Sequence, residues 1–237
     1  MTSDRKYIES LIQMDKNSST FIRSNNLKNR FLNPFLPTMV FDNFYADPDL
    51  WREFALDLEY YKGNRGSWPG LRSDYLHNLN KDLFDHFSAR LMLILKDYGF
   101  SKFSELQTTF QLIDESYGRG WVHDDDPNFI VAGVIYLSPN PAEDSGTTLY
   151  ADQPDFNGEA YTEMFMQDVL VATPEERAKL SKYREEQIAH FTPTTVINHV
   201  YNRCIIFDPR TWHSADHFFG TTKEDTRMTQ VFFIRAE

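Results

Sequence analysis

One cysteine, Cys204, stands in 237 residues, so no disulfide can form within the chain. It lies between Arg203 and the apolar run Ile205-Ile206-Phe207, the setting of a small buried residue rather than of a reactive thiol. Basic residues are also scarce. Lys and Arg total 24 against 35 Asp and Glu, and a net charge of -11 repels a phosphate backbone, which disfavours unassisted nucleic-acid binding. The opening stretch MTSDRKYIESLIQMDKNSS has neither an apolar signal core nor a long uncharged run, which argues against secretion and membrane insertion and fits a reducing cytoplasm. There is no internal repeat, no low-complexity tract and no glycine-rich phosphate loop.

What the chain has in quantity is aromatic: 20 Phe, 12 Tyr and 4 Trp within a 41% hydrophobic composition. That is enough apolar material for one substantial core, and aromatic residues suit half-buried pleated surfaces, so a β-rich domain is expected. Residues 1–30 are polar and read as a loosely held arm, and residues 31–237 as a single domain. Within it, 31–103 reads as a helical layer. After the strand-like TMVFDNF, Asp47-Pro48 opens a helix with Leu50, Phe54 and Leu58 as its apolar stripe, and a second helix near 80–98 carries Leu83, Phe87, Leu91, Ile94 and Leu95. From residue 104 onward the text turns to short strands: TTFQLI, FIVAGVIYL, TTLY, TTVINHV, RCIIFD and MTQVFFI, separated by Gly, Pro, Asn and Asp. Such a series suggests a sandwich or barrel. A helical insertion interrupts it at about 151–194, where Thr173 is the N-cap, Pro174 follows, and Glu176 completes a capping box. Its mostly charged surface reads as a solvated helix.

The chemistry concentrates in three places. In WVHDDDPNF, His123 and Asp125 are two residues apart, and an extended backbone points both to one face and Asp124 away. An imidazole and a carboxylate together suit iron(II) better than thiolate-loving metals. A third ligand comes from RCIIFDPRTWHSADHFFG, where His213 follows a buried-looking strand and a proline turn; His213 is preferred, and His217, four residues later, stays its rival. Finally, Arg227 and Thr229 share one face of the closing strand, where a guanidinium and a hydroxyl can hold the far end of a dicarboxylate. Taken alone, His-x-Asp is also what an acidic turn looks like, and an arginine on a strand is usually a rim residue. The order His-x-Asp, distant His, then Arg-x-Thr is far more particular.

Over roughly Thr108 to Phe233 these residues resemble the iron(II) and 2-oxoglutarate-dependent oxygenase superfamily, specifically its prolyl-hydroxylase-like branch of bacterial or phage type. The resemblance implies an α+β, β-rich fold: a double-stranded β-helix of jelly-roll or cupin-like form, with N-terminal packing helices and the one inserted helix. It implies iron(II) held by His123, Asp125 and His213, with 2-oxoglutarate as cosubstrate, dioxygen as oxidant and ascorbate as a supporting reductant. Arg227 and Thr229 would bind the 5-carboxylate. The stretch SYGRGWVHDD then makes Tyr117 a partner of the 1-carboxylate end, and VIYLS followed by SGTTLY makes Tyr136 a second partner of the 5-carboxylate. The turn Ser145-Gly146-Thr147 has one glycine where the family often has two, and the spacing from His213 to Arg227 is long for this branch. The implied activity is hydroxylation, coupled to oxidative decarboxylation of 2-oxoglutarate, of a small-molecule or peptide or protein substrate. Trp121, Arg119, Trp212 and the loop near Trp68 are candidate pocket residues. Two other readings stay open: a cupin-like or zinc-dependent non-oxidative metalloprotein with the same ligands, and a jelly-roll binding module without catalysis.

Overall fold

A computed structural model of the chain describes residues 36–62, 69–153, 156–157 and 173–236, and the elements below belong to the compact unit Thr38–Glu237. The polar arm at 1–30, the loop at Trp68 and part of the 151–194 insertion lie outside the described residues. In chain order the elements are β1 (Met39–Phe41), α1 (Pro48–Leu56), β2 (Tyr61–Lys62), β3 (Leu71–Arg72), α2 (Leu76–Leu79), α3 (Lys81–Leu95), β4 (Phe103–Ile113), β5 (Val131–Tyr136), β6 (Thr147–Tyr150), α4 (Pro174–Ile188), β7 (Pro193–Ile197), β8 (Cys204–Phe207), β9 (His213–Ala215) and β10 (Arg227–Ala236).

The strands form two antiparallel sheets. The larger runs β1-β8-β5-β10-β4-β3-β2, and the smaller β7-β6-β9. At the centre of the large sheet β10 pairs with β4 from Arg227↔Ile113 to Ala236↔Phe103, and with β5 from Thr229↔Tyr136 to Ile234↔Val131. Such a central strand is covered on both faces, which is why Arg227 to Phe232 are all buried rather than alternately exposed. On one face, Phe110 and Phe232 meet Phe54 and Phe87 of the helical layer at ring separations of 6.0 and 5.3 Å. On the other, Ala132, Tyr136, Ile205 and Phe207 of the large sheet pack with Leu149 and Ile197 of the small one. Alternation along β10 therefore sends Arg227, Thr229, Val231 and Phe233 inward, between the sheets.

Two of the expected details differ. On α1 the buried residues are Trp51 and Ala55, and Leu50 is 47% exposed; Phe54 and Leu58 are only half-buried. The stripe is rotated because the Trp51 ring stacks on Tyr45 at 4.0 Å and meets Phe87, which sets the face that turns inward. Helix α4 is not merely a solvated rod. Its capping box is present at Thr173 and Glu176, but Leu180, Arg184 and Gln187, at positions i, i+4 and i+7, are buried. The face turned to the protein is polar, so no apolar stripe announces it.

Candidate functional site

A short turn and a single bridge build the centre of the site. After β8, Asp208-Pro209-Arg210-Thr211 forms a turn closed by Thr211 N–H to the Asp208 carbonyl at 2.9 Å, with aspartate first and proline second. The turn brings the chain back as β9, whose His213 lies directly across from His123. These two residues exchange both backbone hydrogen bonds, at 3.0 and 2.8 Å, and directly opposed residues of an antiparallel pair put their side chains on one face. The same turn holds the third residue, because the Pro209 carbonyl accepts the Asp125 N–H at 2.8 Å. Asp124, between His123 and Asp125, is exposed.

His123, Asp125 and His213 thus offer one ligand atom each, all within 4.8 Å of one another, and form a group able to hold a metal ion among the described residues. The imidazoles are oriented alike. His123 Nδ1 lies 3.0 Å from the Trp121 carbonyl and His213 Nδ1 lies 2.9 Å from that of Thr211. A carbonyl can only accept, so each Nδ1 is the donor, which leaves Nε2 as the nitrogen through which either ring, when neutral, can ligate. Those Nε2 atoms are 3.8 and 3.5 Å from the Asp125 carboxylate oxygens. Burial, reinforced by the neighbouring His123, pushes His213 down to about 4, which keeps it neutral and able to ligate near pH 7. His217 is not part of this group. It is exposed, and its Nδ1 pairs with the Asp144 carboxylate at 2.9 Å, away from the three.

The three residues open on a cavity of about 640 Å³ between the sheets. Arg227 and Thr229 line it from β10. The Arg227 Nε donates to the Ser145 carbonyl at 3.2 Å, and its guanidinium lies against the Tyr136 and Phe218 rings at 5.5 and 5.6 Å. Burial pulls this guanidinium below its ordinary value, opposed by Tyr136 and Asp216. Thr229 is fully buried and its Oγ1 has no hydrogen-bond partner. A buried hydroxyl left unmade is costly, and one lining a cavity beside a guanidinium suits an anionic ligand group. Tyr136 stands behind this end rather than in it: its hydroxyl is 2.7 Å from Thr147 Oγ1, and His199 stacks on its ring at 4.3 Å. Burial raises the Tyr136 pKa, opposed by Arg227, so the phenol stays protonated.

Arg119, Trp121 and Trp212 line the cavity too. Tyr117 does not. It sits in the short turn after β4 at Glu115–Tyr117, its ring 6.5 Å from that of Phe218, and borders a separate cavity of about 400 Å³ with Tyr60 and Lys223. The sequence reading missed Arg72, Gln111, Thr147 and Gln187, which also line the triad cavity. Arg72, Gln111, Thr229 and Tyr136 are successive register partners across four strands of one sheet. Burial brings Arg72 down to about 10, against the opposing charge of Asp125. In the turn before β6 the one glycine is needed for packing, since a Cβ on Gly146 would lie 2.1 Å from the Ile197 carbonyl oxygen.

Several solved structures share this fold at low sequence identity. HygX from Streptomyces hygroscopicus, solved with nickel and 2-oxoglutarate bound, has a TM-score of 0.52 at 11% identity, covering 83% of this chain and 82% of its own. A Pseudomonas putida prolyl-4-hydroxylase has a TM-score of 0.52 at 12% identity, covering 84% and 92%. A Trichoplax adhaerens prolyl hydroxylase, in complex with a hypoxia inducible factor peptide fragment, has a TM-score of 0.50 at 12% identity, covering 93% and 94%. The architecture is accordingly the double-stranded β-helix of these oxygenases, as expected. No curated protein matches the chain in sequence. A family model does match, over residues 29–229, and by that match the chain belongs to the family of unknown function DUF6445.

Proposed function

We propose that the protein is an iron(II) and 2-oxoglutarate-dependent oxygenase that hydroxylates a C–H bond of a small-molecule or peptide substrate. One observation carries the reading: two imidazoles, each tied through Nδ1 to a carbonyl, turn their Nε2 atoms to one carboxylate in a cavity that also holds a buried guanidinium and an unpartnered hydroxyl. Nitrogen and carboxylate oxygen form the donor set that iron(II) oxygenases use. When bound, iron and 2-oxoglutarate would supply activation of dioxygen coupled to decarboxylation of the cosubstrate to succinate.

The roles of the chain's own residues follow from their placement. His123, Asp125 and His213 would hold the metal, and the Trp121 and Thr211 carbonyls keep the imidazoles in the ligating tautomer. Arg227 would hold the distal carboxylate, with Thr229 Oγ1 donating to the same group. Tyr136 keeps Arg227 in place through its ring, and Thr147 through its hydroxyl holds Tyr136. Trp121, Trp212 and Phe156 wall the cavity and exclude water around the reacting groups. A zinc hydrolase could use the same three ligands, yet has no need of a dicarboxylate clamp.

The test is anaerobic titration with iron(II) and 2-oxoglutarate together. A visible charge-transfer band that needs both is expected, and Asp125→Ala should abolish it along with 2-oxoglutarate turnover. Metal binding and turnover that survive Asp125→Ala unchanged would sink the assignment.

A further inference from the structure

Helix α4 gives no residue to the triad, yet it is fastened to the segment that carries His123. Gln187 is 4% exposed, and its carboxamide is bonded at both ends to one residue: it accepts the Val122 N–H at 2.9 Å and donates to the Val122 carbonyl at 2.7 Å. Successive residues of an extended strand turn their backbone groups to opposite edges. His123 spends both of its groups on His213, so Val122 faces the other way. Among the described residues no strand pairs along that outer edge. The Gln187 amide takes the place of one. Three residues earlier on the same buried face, Arg184 donates to the Tyr117 carbonyl and lies over the Trp121 ring at 5.7 Å. Just past the helix, Phe191 packs on Trp212 at 5.1 Å, next to His213.

We infer that α4 is a brace for the metal ligands and that Gln187 is a positioning residue for His123. The inference rests on the triad binding a metal. Loss of the two amide bonds leaves the N–H and carbonyl of a buried residue without partners, and the segment then shifts to find water for them. That shift moves the His123 imidazole, whose orientation depends on the carbonyl of Trp121 in the same segment. Support lost one shell outside the ligands typically weakens metal binding roughly 10- to 100-fold. The coupling is reciprocal: a metal that fixes His123 must also favour the docked α4 by the same factor.

Cobalt(II) alone, titrated into the full metal-free chain, reads this without turnover. Gln187→Met keeps the length of the side chain and loses both bonds. It is expected to weaken cobalt binding by about 10- to 100-fold and to alter the visible cobalt spectrum. Gln187→Glu, which retains an acceptor for the Val122 N–H, should fall between the two and serves if the methionine variant does not fold. Hydrogen exchange of residues 174–188 should slow when cobalt is added to the wild-type chain, and should respond less in either variant. Wild-type affinity and spectrum in the variants, or exchange in α4 indifferent to cobalt, would overturn the brace while leaving the metal centre standing. A wild-type chain that binds no cobalt would instead remove the metal centre itself, and the brace with it.

Discussion

His199 is buried against Tyr136, the two rings stacked at 4.3 Å, with the Ser145 and Ser138 backbone beside its imidazole. Burial, with the nearby Arg227 adding to it, pulls its pKa down to about 3. A base whose folded pKa lies below its unfolded value of about 6.5 stabilises the fold above that value, and the contribution is lost as pH falls toward 3. One such proton changes stability by roughly 1.4 kcal/mol per pH unit across the window. Urea unfolding at pH 6.5 and pH 5 should therefore show a steeper decline for the wild type than for His199→Phe, and equal slopes would contradict the assignment. Arg227 makes a second prediction at this scale, under the oxygenase reading. Hydrogen bonds to a charged group are worth about 1.5–3 kcal/mol. Arg227→Gln should then raise the KM for 2-oxoglutarate by roughly ten- to a hundredfold, with a smaller effect on kcat, whereas cobalt affinity should stay near wild type. A variant whose KM does not move would remove Arg227 from the cosubstrate end.

Among the elements, α4 is the one whose existence was plainest and whose role was hidden. Thr173 Oγ1 accepts the Glu176 N–H at 3.2 Å, and the Glu176 carboxylate returns to Thr173. Thr173→Ala should lower stability by about 1 kcal/mol, the usual worth of an N-cap, read as earlier fraying of 174–178 by hydrogen exchange. No change there would mean the helix start is held by other contacts. The cap was legible because Thr, Pro and Glu announce it by spacing alone. What the helix does was not legible, because Leu180, Arg184 and Gln187 face inward on a mainly polar stripe, and Arg184 and Gln187 bond to backbone groups more than sixty residues away. The same contrast runs through the site. His123 and Asp125 share a face by the period of two, and the proline turn before His213 follows from Asp208 and Pro209. The choice between His213 and His217 needed the register across the bridge, which no local pattern carries. Arg72 entered the cavity through β3, a two-residue strand too short for any periodicity to reveal. Tyr117 lies in a single turn of 3-10 helix, which sets it along the second cavity.

For the whole molecule, the proposed metal binding must be linked to the fold, since both sheets contribute to the cavity and His123, Asp125 and His213 come together only when β9 pairs with the 119–123 segment. A ligand that binds only the folded chain stabilises it by RT ln(1 + [L]/Kd), about 2.7 kcal/mol at a hundredfold excess over Kd. In a domain of this size each kcal/mol moves Tm by about 2–4 °C. Saturating cobalt(II) should therefore raise the unfolding midpoint by roughly 5–11 °C, and a chelator should return it to its starting value. The net charge of -11 gives a competing explanation, because divalent cations also screen an acidic surface. Two comparisons separate them. Magnesium screens equally but is a poor partner for imidazole, so it should shift the midpoint far less than cobalt. Asp125→Ala removes one charge of the surplus and one ligand of the three, so its cobalt shift should collapse while its response to magnesium is unchanged. Equal shifts from both metals, retained in Asp125→Ala, would mean that the cation acts on the acidic surface and that His123 and His213 are a structural pair.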